Sequence, residues 1–516
     1  MAETAPAPLS GMARVLGTTV VSCATFMIVL DSAIANVSVP AIAGDLGASP
    51  SQGTWVITSF GMANAVAVPL TGWLAQRIGV VRLFVGSLLL FTLASVLCGL
   101  AGSLTQLVVA RVFQGLVAGP MMPLAQTLLM SSYPPARLSS ALAIWSMTTL
   151  VAPIIGPVLG GWITDHIGWP WIFFINIPVG LVAALLAWTI YAPRETAIRR
   201  VPIDAIGLAL LVLGVGAFQV MLDLGKDAAW FESRLIVVLA VVSLVALLFF
   251  LAWELTEAHP VVDLTLLARR NFVVGTAVQS MAYGLYVGSV LLMPLWLQQY
   301  MGYSATDAGL TMAPVGLLAI LLLPWVARLM TRVDLRWLTT GAFFVFALVF
   351  QMRADFTPQA DLATLMWPTF VQGIAVAFFF TPLTALSVSG LPPQRIPQAA
   401  GLSNFVRISA GAFGVSLITT LWEHRAIVHH ARLTERLGDR ESPALAEAWA
   451  RLASAGLDDL QVPAQIERMI ALQSHTRAAD DVFLAASWIF LAMIPLVWWA
   501  RPPQVAQPAQ TTPARR

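Results

Sequence analysis

The stretch FMIVLDSAIANVSVP, residues 26–40, is apolar enough to lie within a membrane, yet it contains the carboxylate of Asp31. A charged side chain inside hydrocarbon is costly, and it usually faces other helices or a water-filled path, where it pairs or takes part in function. The stretch is therefore typical of a transmembrane helix with a functional acid.

The rest of the chain is similarly apolar. Of its 516 residues 58% are hydrophobic and 10% are charged, whereas an ordinary soluble domain has about 25% charged residues. The net charge is +2 and Lys226 is the only lysine, so there is no basic tract for nucleic acid. Cys23 and Cys98 both lie in apolar runs, which argues against a disulfide framework or a thiolate metal site. The composition indicates an integral membrane protein.

Hydropathy and turn signals predict fourteen spanning helices of about 20 residues each. The predicted spans are 15–37, 53–74, 84–101, 105–129, 141–163, 172–192, 203–223, 233–253, 272–296, 308–327, 337–355, 364–390, 398–422 and 481–500. An even number of spans places both termini on one side. Short cytoplasmic loops collect Lys and Arg, and the short outer loops hold only Lys226, Arg234 and Arg353 when the N-terminus is inside. The sequence therefore predicts that both termini, including the tail 501–516, are cytoplasmic.

Two internal echoes indicate a repeat. LAQRIG at 74–79 matches LMTRVD at 329–334, and Gln114-Gly115 matches Gln372-Gly373. Together they align the first six helices with the last six. The predicted organisation is a six-helix bundle at 1–192, an inserted helix pair at 203–253, and a second six-helix bundle at 272–500 that includes an outer segment at 423–480. Two parallel repeats with substrate held between them are a known transporter architecture.

Asp31 and Arg111 are predicted to share one depth in the membrane. Asp31 lies about six residues, or roughly 9 Å of helix rise, before the outer end of the first span. Arg111 lies about equally far into the fourth span, which runs inward. Opposite charges at one depth pair or interact through water. The pair either carries protons, because small changes in hydration alter the charge state of a buried carboxylate, or is a static ion pair that fixes helix packing.

Arg407, in the thirteenth predicted span, has no intramembrane acid as a partner, because Asp204, Asp223, Glu254 and Asp307 are expected at helix ends. We expect it either to bind carbonyls or water, or to meet an anionic substrate. The other side chains expected by depth at a midplane cavity are Asn36, Gln114, Gln126, Gln279, Tyr283, Tyr286, Gln372, Phe379 and Asn404.

Two glycine-containing stretches are candidates for moving parts. APIIGPVLGGWI, 152–163, places a small-xxx-small pair and a proline in one helix, which suits close packing or a rocking interface; the residues are Gly156, Pro157, Gly160 and Gly161. GWLAQRIGVVRL, 72–83, is a short inner loop that provides topological charge and a tight turn, or a latch between adjacent helices; its residues are Gly72, Gln76, Arg77, Gly79 and Arg82.

Together with LDSAIANVSVP (30–40), RVFQGLVAG (111–119) and WPWIFFINIPVG (169–180), these stretches resemble the fourteen-helix drug:proton antiporter branch of the major facilitator superfamily. HPVVDLTLLARRNF (259–272) and GYSATDAGLTMAP (302–314) extend the resemblance to the second half. It implies an all-α membrane fold of two six-helix bundles plus two inserted helices, in the bacterial inner membrane. It also implies a transporter rather than an enzyme, driven by the proton gradient without a cofactor or bound metal.

The resemblance implies roles for individual residues as well. Asp31 and Arg111 would serve proton coupling, and the GPxxGG stretch would be the antiporter signature. The family pattern GxLADRxG has an acid where this chain has Gln76, so gating is expected to depend more on Arg77 and Arg82. The segment beginning WEHRAIVHHARLTERL (422–437) resembles the inner-membrane pump of a tripartite efflux system, whose partners are a periplasmic adaptor and an outer-membrane channel. Taken alone, two amphipathic stretches within 423–480 fit a self-packed cap equally well.

The expected function is export of hydrophobic or amphiphilic drugs in exchange for protons. Asp31 is the only acid expected within the membrane, which favours neutral or weakly acidic substrates over multivalent cations. Export of a dedicated metabolite, such as a siderophore or antibiotic, and a non-transporting receptor or scaffold are the alternatives. A haem-bearing enzyme is disfavoured because every histidine lies outside the predicted spans. ATP-driven transport is disfavoured because the sequence has no Gly-rich Lys-Ser/Thr phosphate loop.

Overall fold

The structure, a computed structural model, describes residues 8–134, 151–152, 155–198, 204–225, 228, 230–257, 260, 262, 264–330, 332–391, 396–437, 443–458 and 461–501. Within these ranges the chain forms helices and turns and no strand. The boundary predicted near residue 203 and residues 502–516 of the predicted tail lie outside the described ranges.

The described residues of the first part of the chain form seven principal helices. They are α1 (Gly11–Asp45), α2 (Trp55–Ile78), α3 (Val80–Gly99), α4 (Leu104–Ala118), α5 (Met121–Ser132), α6 (155–166) and α7 (Asn176–Tyr191). The inserted pair is α8 (Ala205–Gly225) and α9 (Arg234–Glu254). The remainder is α10 (Arg270–Gln299), α11 (Ala305–Met312), α12 (Pro314–Met330), α13 (Leu335–Arg353), α14 (Leu362–Val388), α15 (Ile396–Leu437), α16 (Pro443–Ser454) and α17 (Gln461–Trp498).

Thirteen helical runs in the described residues are long and apolar enough to cross a membrane. Helices α4 and α5 form one such run, and α11 and α12 form another. The fifth predicted span, 141–163, is described only at 151–152 and from residue 155, where α6 begins. Large apolar side chains on α9, such as Leu244, Leu248 and Phe249, are more than half exposed. Such a continuous apolar surface on a helix is expected where lipid covers it.

The two halves pack their helices in the same order. In the first half, α2 and α3 pack on α4, and α7 packs on α1 and α3. In the second half, α12 and α13 pack on α14, and α17 packs on α10 and α13. The predicted division into two six-helix bundles and an inserted pair at the stated bounds stays a prediction. Helix α8 of the inserted pair contacts one helix from each half, α2 and α15.

The halves are joined at one end of the helices, which we call the loop face because it carries residues 423–480; the opposite end is the termini face. Gln298 Nε2 of α10 donates a hydrogen bond of 2.9 Å to the carbonyl oxygen of Val37 in α1. The backbone N–H of Thr306 donates to Asp165 Oδ2 at 2.7 Å. A Cβ added to Gly161 of α6 would overlap the carbonyl of Ala305, so the two backbones are in contact. These bonds close the loop face between the halves.

The second amphipathic stretch within 423–480, PAQIERMIALQS, is helical. It is the first part of α17, which continues into the last span. Pro463 lies in the first turn, where its missing N–H is not needed, and no further proline occurs before Pro495. Helix α15 continues beyond its predicted span as residues 423–437, which we call its extension. The extension pairs with α17 through Arg425 and His429, which contact Asp481 at 2.6 and 2.7 Å.

Candidate functional site

Asp31 lies on α1 and pairs directly with Arg111 on α4. Arg111 Nη1 is 2.5 Å from Asp31 Oδ2, and the two side chains are fully buried. The same Nη1 donates to Gln114 Oε1 at 2.6 Å, and Arg111 Nε donates to the Val56 carbonyl oxygen at 2.9 Å. The shared depth that the sequence predicts for the pair therefore corresponds to a direct contact, whereas its role in proton coupling stays a prediction.

Two amide side chains complete the shell around Asp31. Asn176 Nδ2, on α7, donates to Asp31 Oδ1 at 2.8 Å, and Gln114 Nε2 donates to the same oxygen at 3.2 Å. Ser95 Oγ accepts from Gln114 at 2.9 Å and from Asn176 at 3.3 Å. Sequence reasoning missed Asn176 and Ser95. Their only signal is a polar residue within an apolar run, and many such residues bond to nothing but their own helix.

The guanidinium of Arg111 is enclosed by aromatic rings. Its central carbon lies 4.2 Å from the Phe60 ring centroid and 5.5 Å from that of Phe173, within the range of cation–π attraction. The buried Arg111 Nη2 has no hydrogen-bond partner among the described residues. Asp31 thus has three side-chain donors from two helices, and protonation of its carboxylate would remove the charge that holds them together.

The GPxxGG stretch packs against α1 next to Asp31. A Cβ on Gly156 would lie 2.5 Å from Ala33 Cβ, and one on Gly160 would lie 2.8 Å from the Ile34 carbonyl oxygen. The backbones of α6 and α1 are therefore close enough to exclude side chains at these glycines. The Pro157 carbonyl lies against Gly309 of α11 in the other half. Helix α6 thus contacts both the helix that carries the acid and the second half.

The candidate gating stretch, 72–83, lies at the termini face. It was expected to be a short loop, but residues up to Ile78 belong to α2 and residues from Val80 belong to α3, so only Gly79 lies between the two helices. Gly72, Gln76 and Arg77 are exposed, and Gly79 ends α2 with φ of +100°, a conformation that favours glycine. The partner of the stretch is Glu195, which sequence reasoning missed. Its carboxylate accepts from the backbone N–H groups of Val81 and Arg82, at 3.0 and 2.8 Å, and caps α3.

The echo of this stretch in the second half has its own acid. Asp334 precedes α13 and accepts from the Arg336 backbone N–H at 3.0 Å and from Arg336 Nη2 at 2.7 Å. These hydrogen bonds from Arg336 hold the pKa of the Asp334 carboxyl below its usual value. A carboxylate therefore stabilises the start of α3 and the start of α13. In the first half it comes from Glu195, far along the chain, and in the second half from Asp334, directly before the helix.

The residues expected at a midplane cavity do not form a single group. Arg407 lies over the rings of Tyr283 and Phe380, at 4.6 and 5.0 Å, and donates to Asn404 Oδ1 at 3.1 Å. Gln279 donates to Thr384 at 2.9 Å, Gln114 belongs to the Asp31 network, and Gln372 bonds to Arg353. Asn36 and Phe379 are buried, whereas Gln126 and Tyr286 are half-buried.

Arg353 was expected in an outer loop, and that expectation is wrong. It is the last residue of α13 and is 1% exposed. Its Nη2 donates to Thr369 Oγ1 at 3.1 Å and to Gln372 Oε1 at 2.8 Å, both on α14. A long side chain at a helix end can turn back into the bundle, and hydropathy along the chain does not show that direction.

Asp223 lies at the end of α8, as expected, but joins three parts of the molecule. It accepts from Thr58 Oγ1 of α2 at 3.0 Å, from Gln219 Nε2 of α8 at 2.9 Å, and from Ser416 Oγ of α15. The inserted pair is therefore hydrogen-bonded to both halves near the loop face.

These features define a class of protein: two similarly packed helical halves in a membrane, with a buried ion pair inside one half, have the architecture of a secondary transporter. The chain belongs to the Major Facilitator Superfamily, whose family model matches residues 21–415.

The chain is also similar to individual proteins of this kind. It is 49% identical over 497 residues to the multidrug export protein EmrB of Escherichia coli K12, covering 96% of this chain and 97% of that protein. It is 48% identical to the fatty acid resistance protein FarB of Neisseria gonorrhoeae, covering 96% and 98%. A bacterial homologue of the human lysosomal transporter Spinster, solved in an inward-facing and unoccupied conformation, shares the fold with a TM-score of 0.61 and 16% identity, covering 96% of this chain and 100% of that structure.

Proposed function

We propose that the chain is a proton-coupled antiporter that exports hydrophobic and amphiphilic compounds across the bacterial inner membrane. The observation that carries the proposal is the buried carboxylate of Asp31, held by donors on α4 and α7. The similarity to a multidrug export protein over nearly the whole chain supports export as the direction of transport. The proton gradient is the proposed energy source, and no cofactor is proposed.

In this proposal Asp31 exchanges a proton as the halves move. A proton that binds the carboxylate removes its charge, so the attraction between α1 and α4 weakens, while Arg111 keeps its bonds to Gln114 and Val56. Helix α1 also contacts α6 and, through Val37, α10 of the other half. A change at Asp31 can thereby reach the interface that closes the loop face.

We place the loop face in the periplasm and both termini in the cytoplasm. The distribution of arginines supports this orientation, because short cytoplasmic loops collect positive charge. In this orientation the structure is closed to the periplasm, and a proton entering from outside would favour release of substrate there.

We further propose that residues 423–480 contact a periplasmic adaptor linked to an outer-membrane channel. The paired extensions of α15 and α17 leave Ile427 and Met469 exposed by 68% and 50%, and α16 leaves Trp449 exposed by 38%. Exposed apolar side chains on a helical projection outside the membrane suit a protein partner.

The decisive experiment records the internal pH of inverted, respiring vesicles when a hydrophobic compound is added. The wild-type protein is compared with Asp31→Asn at matched protein levels. Asp361→Asn is the matched control, because Asp361 caps α14 through the Thr364 N–H at the loop face, and asparagine caps helices equally well.

We expect substrate-dependent loss of internal protons with the wild type and the control, and none with Asp31→Asn. Equal responses from all three proteins would make Asp31 a structural residue. If the wild type gives no response to any compound, the antiport proposal itself fails.

A further inference from the structure

The second half contains a buried polar cluster that resembles the Asp31 network but has no acid among its observed contacts. Arg353, Thr369 and Gln372 are each no more than 2% exposed. Arg353 bonds to both other side chains through its Nη2. A guanidinium taken out of water is costly unless an anion or several acceptors satisfy it. Two neutral oxygens on one nitrogen are a poor substitute for a carboxylate.

The internal repeat relates this cluster to the Asp31 network. Cys98 Sγ contacts Gln114 Oε1 at 3.5 Å in the first half, and Arg353 contacts Gln372 at the corresponding place in the second half. Thr369 lies three residues before Gln372, as Arg111 lies three before Gln114. The offset of 255 between LAQRIG and LMTRVD places Tyr286 where the first half has Asp31, because 31 + 255 = 286. In the second half the cation therefore lies on α13 rather than on α14, and Tyr286 stands at the position that corresponds to Asp31.

Two further donors belong to the cluster. Arg353 Nε and Gln372 Nε2 are buried and have no hydrogen-bond partner in the part of the chain that the structure describes. A buried donor without an acceptor costs about 1–3 kcal/mol, and more when the group is charged. Arg and amide N–H groups that share one acceptor match the two oxygens of a carboxylate.

The surroundings of the cluster are aromatic. The Arg353 guanidinium lies 5.7 Å from the Phe350 ring and 5.9 Å from the Phe483 ring. Phe350 stacks on Phe490 with centroids 5.5 Å apart, and Phe490 stacks on Phe346 at 4.6 Å. These rings are fully buried in the core of the second half. Beside a cation, they suit a ligand that joins a negative head group to a hydrocarbon part once the helices move apart.

We propose that Arg353 and Gln372 form a second binding site, in the second half, for the carboxylate of an exported amphiphile, whose apolar part lies along these aromatic rings. This rests on the proposed export function and adds to it a substrate chemistry and a place of binding. Thr369 positions Arg353 through its hydroxyl. Pro368 precedes Thr369 and interrupts the hydrogen bonding of α14, so this helix can bend to open the cluster, which is closed in the present conformation.

The test is a binding measurement on the purified full-length protein by calorimetry, comparing decanoate with decanamide. The two ligands share a chain and differ in head-group charge. We expect the wild type to bind decanoate about tenfold more tightly or better, as a charge-assisted hydrogen bond provides. We expect Arg353→Gln to bind both equally, with decanamide bound as in the wild type.

Two further variants keep the result interpretable. Arg336→Gln removes the same charge from the other end of α13, where Arg336 pairs with Asp334, and it is expected to keep the full preference for decanoate. If Arg353→Gln does not fold, Arg353→Lys replaces it in the test. It keeps the charge but not the fork of donors, so it is expected to keep a reduced preference for decanoate. A wild type without a preference, or an Arg353 variant that retains it in full, overturns the proposal.

Competition by small anions tests whether the site binds any free anion or only the carboxylate of an amphiphile. We expect acetate to compete with decanoate only weakly, because it lacks the apolar part. If acetate or chloride competes as well as decanoate, the site binds a free anion and the proposed amphiphile is wrong. Proton release from vesicles on adding a neutral compound tests the export function separately. Its failure alongside an intact decanoate preference would reject only that function, and the converse would reject only this site.

Discussion

The buried charge of Asp31 is compensated mainly by one residue, Arg111. The amide groups of Gln114 and Asn176 also donate to the carboxylate, but they carry no net charge. Removing the arginine would therefore leave an ionised or newly neutralised carboxyl group in an apolar region, beside the Phe60 and Phe173 rings that now enclose Arg111. This imbalance gives a prediction about stability that does not depend on transport.

We expect Arg111→Met to destabilise the protein by about 3–5 kcal/mol, because it breaks a buried ion pair by removing one partner. The double variant Arg111→Met with Asp31→Asn is expected to regain most of that loss, because neither charge then remains. The measurement is thermal unfolding of the purified proteins in one detergent. A double variant as unstable as the single one would show that Arg111 stabilises something other than the Asp31 charge.

The sequence reveals the charged members of this site better than the neutral ones. Asp31 and Arg111 stand out because a charge within an apolar run needs a reason. Ser95 and Asn176 do not stand out, since a neutral polar residue in a membrane helix often bonds only to its own backbone. Arg353 was misplaced because the direction of a side chain at a helix end depends on its neighbours in space.

At the scale of elements, the packing of α6 on α1 depends on the lack of side chains at two glycines. A Cβ at Gly160 would come within 3.0 Å of the Ile34 Cγ2 and still closer to the Ile34 carbonyl oxygen. That contact lies one helical turn from Asp31. Any residue larger than glycine must therefore shift α6 away from the helix that carries the acid.

We expect Gly160→Val to lose about 1–3 kcal/mol of stability through overpacking, and to lose most of its efflux because the α1–α6 contact is displaced. Gly86→Val in α3 is the matched control, because a Cβ there meets nothing within 4 Å. Substrate efflux from cells and the melting temperature are measured for both variants. Equal effects of the two substitutions would mean that β-branching in a helix, rather than the close approach to α1, is responsible.

Hydropathy located the membrane helices but not all of their ends. The predicted span 398–422 lies within α15, which continues to Leu437. The predicted span 481–500 overlaps α17, which begins much earlier, at Gln461, and ends at Trp498. Hydropathy falls where a helix leaves the lipid, whereas the helix itself continues until a breaker or a lost packing partner ends it. The paired extensions stabilise each other by ion pairs, and residues from distant parts of the sequence make those pairs.

Helix α16 provides a test of the proposed adaptor contact. It packs on α17, whereas α15 and α17 are held together by their own ion pairs, so replacing residues 443–454 with a Gly-Ser linker of equal length is expected to leave α15 and α17 paired. We expect antiport in inverted vesicles to be unchanged, since the adaptor plays no part there, and capture of the periplasmic adaptor by the purified protein to be lost. Loss of vesicle antiport would instead assign α16 to the folding of the transporter.

At the scale of the whole molecule, the internal repeat and the interface between the halves differ in how far they could be predicted. Two short echoes in the sequence align the halves, because each half repeats the same packing order. The contacts between halves follow no such pattern. Thr306 with Asp165, Gln298 with Val37, and the Asp223 junction each join residues with unrelated sequence contexts. Contacts between the halves depend on which helices lie side by side in space, and the sequence alone does not indicate that.

The Asp223 junction gives the last prediction, which concerns the closure of the loop face. Its carboxylate accepts hydrogen bonds from α2 and α15, one helix of each half, so Asp223→Ala is expected to loosen that closure. The measurement is the rate at which an impermeant maleimide, added at the loop face, labels Asn36→Cys in a background of Cys23→Ala and Cys98→Ala. Asn36 is 9% exposed in the closed structure, so a several-fold faster rate would report opening. Asp45→Ala is the control, since Asp45 accepts from Trp169 within the first half and its loss leaves the interface between the halves intact. Equal labelling rates in the two variants would mean that the inserted pair only accompanies the halves, whereas faster labelling in Asp223→Ala alone would make α8 part of the device that closes the transporter.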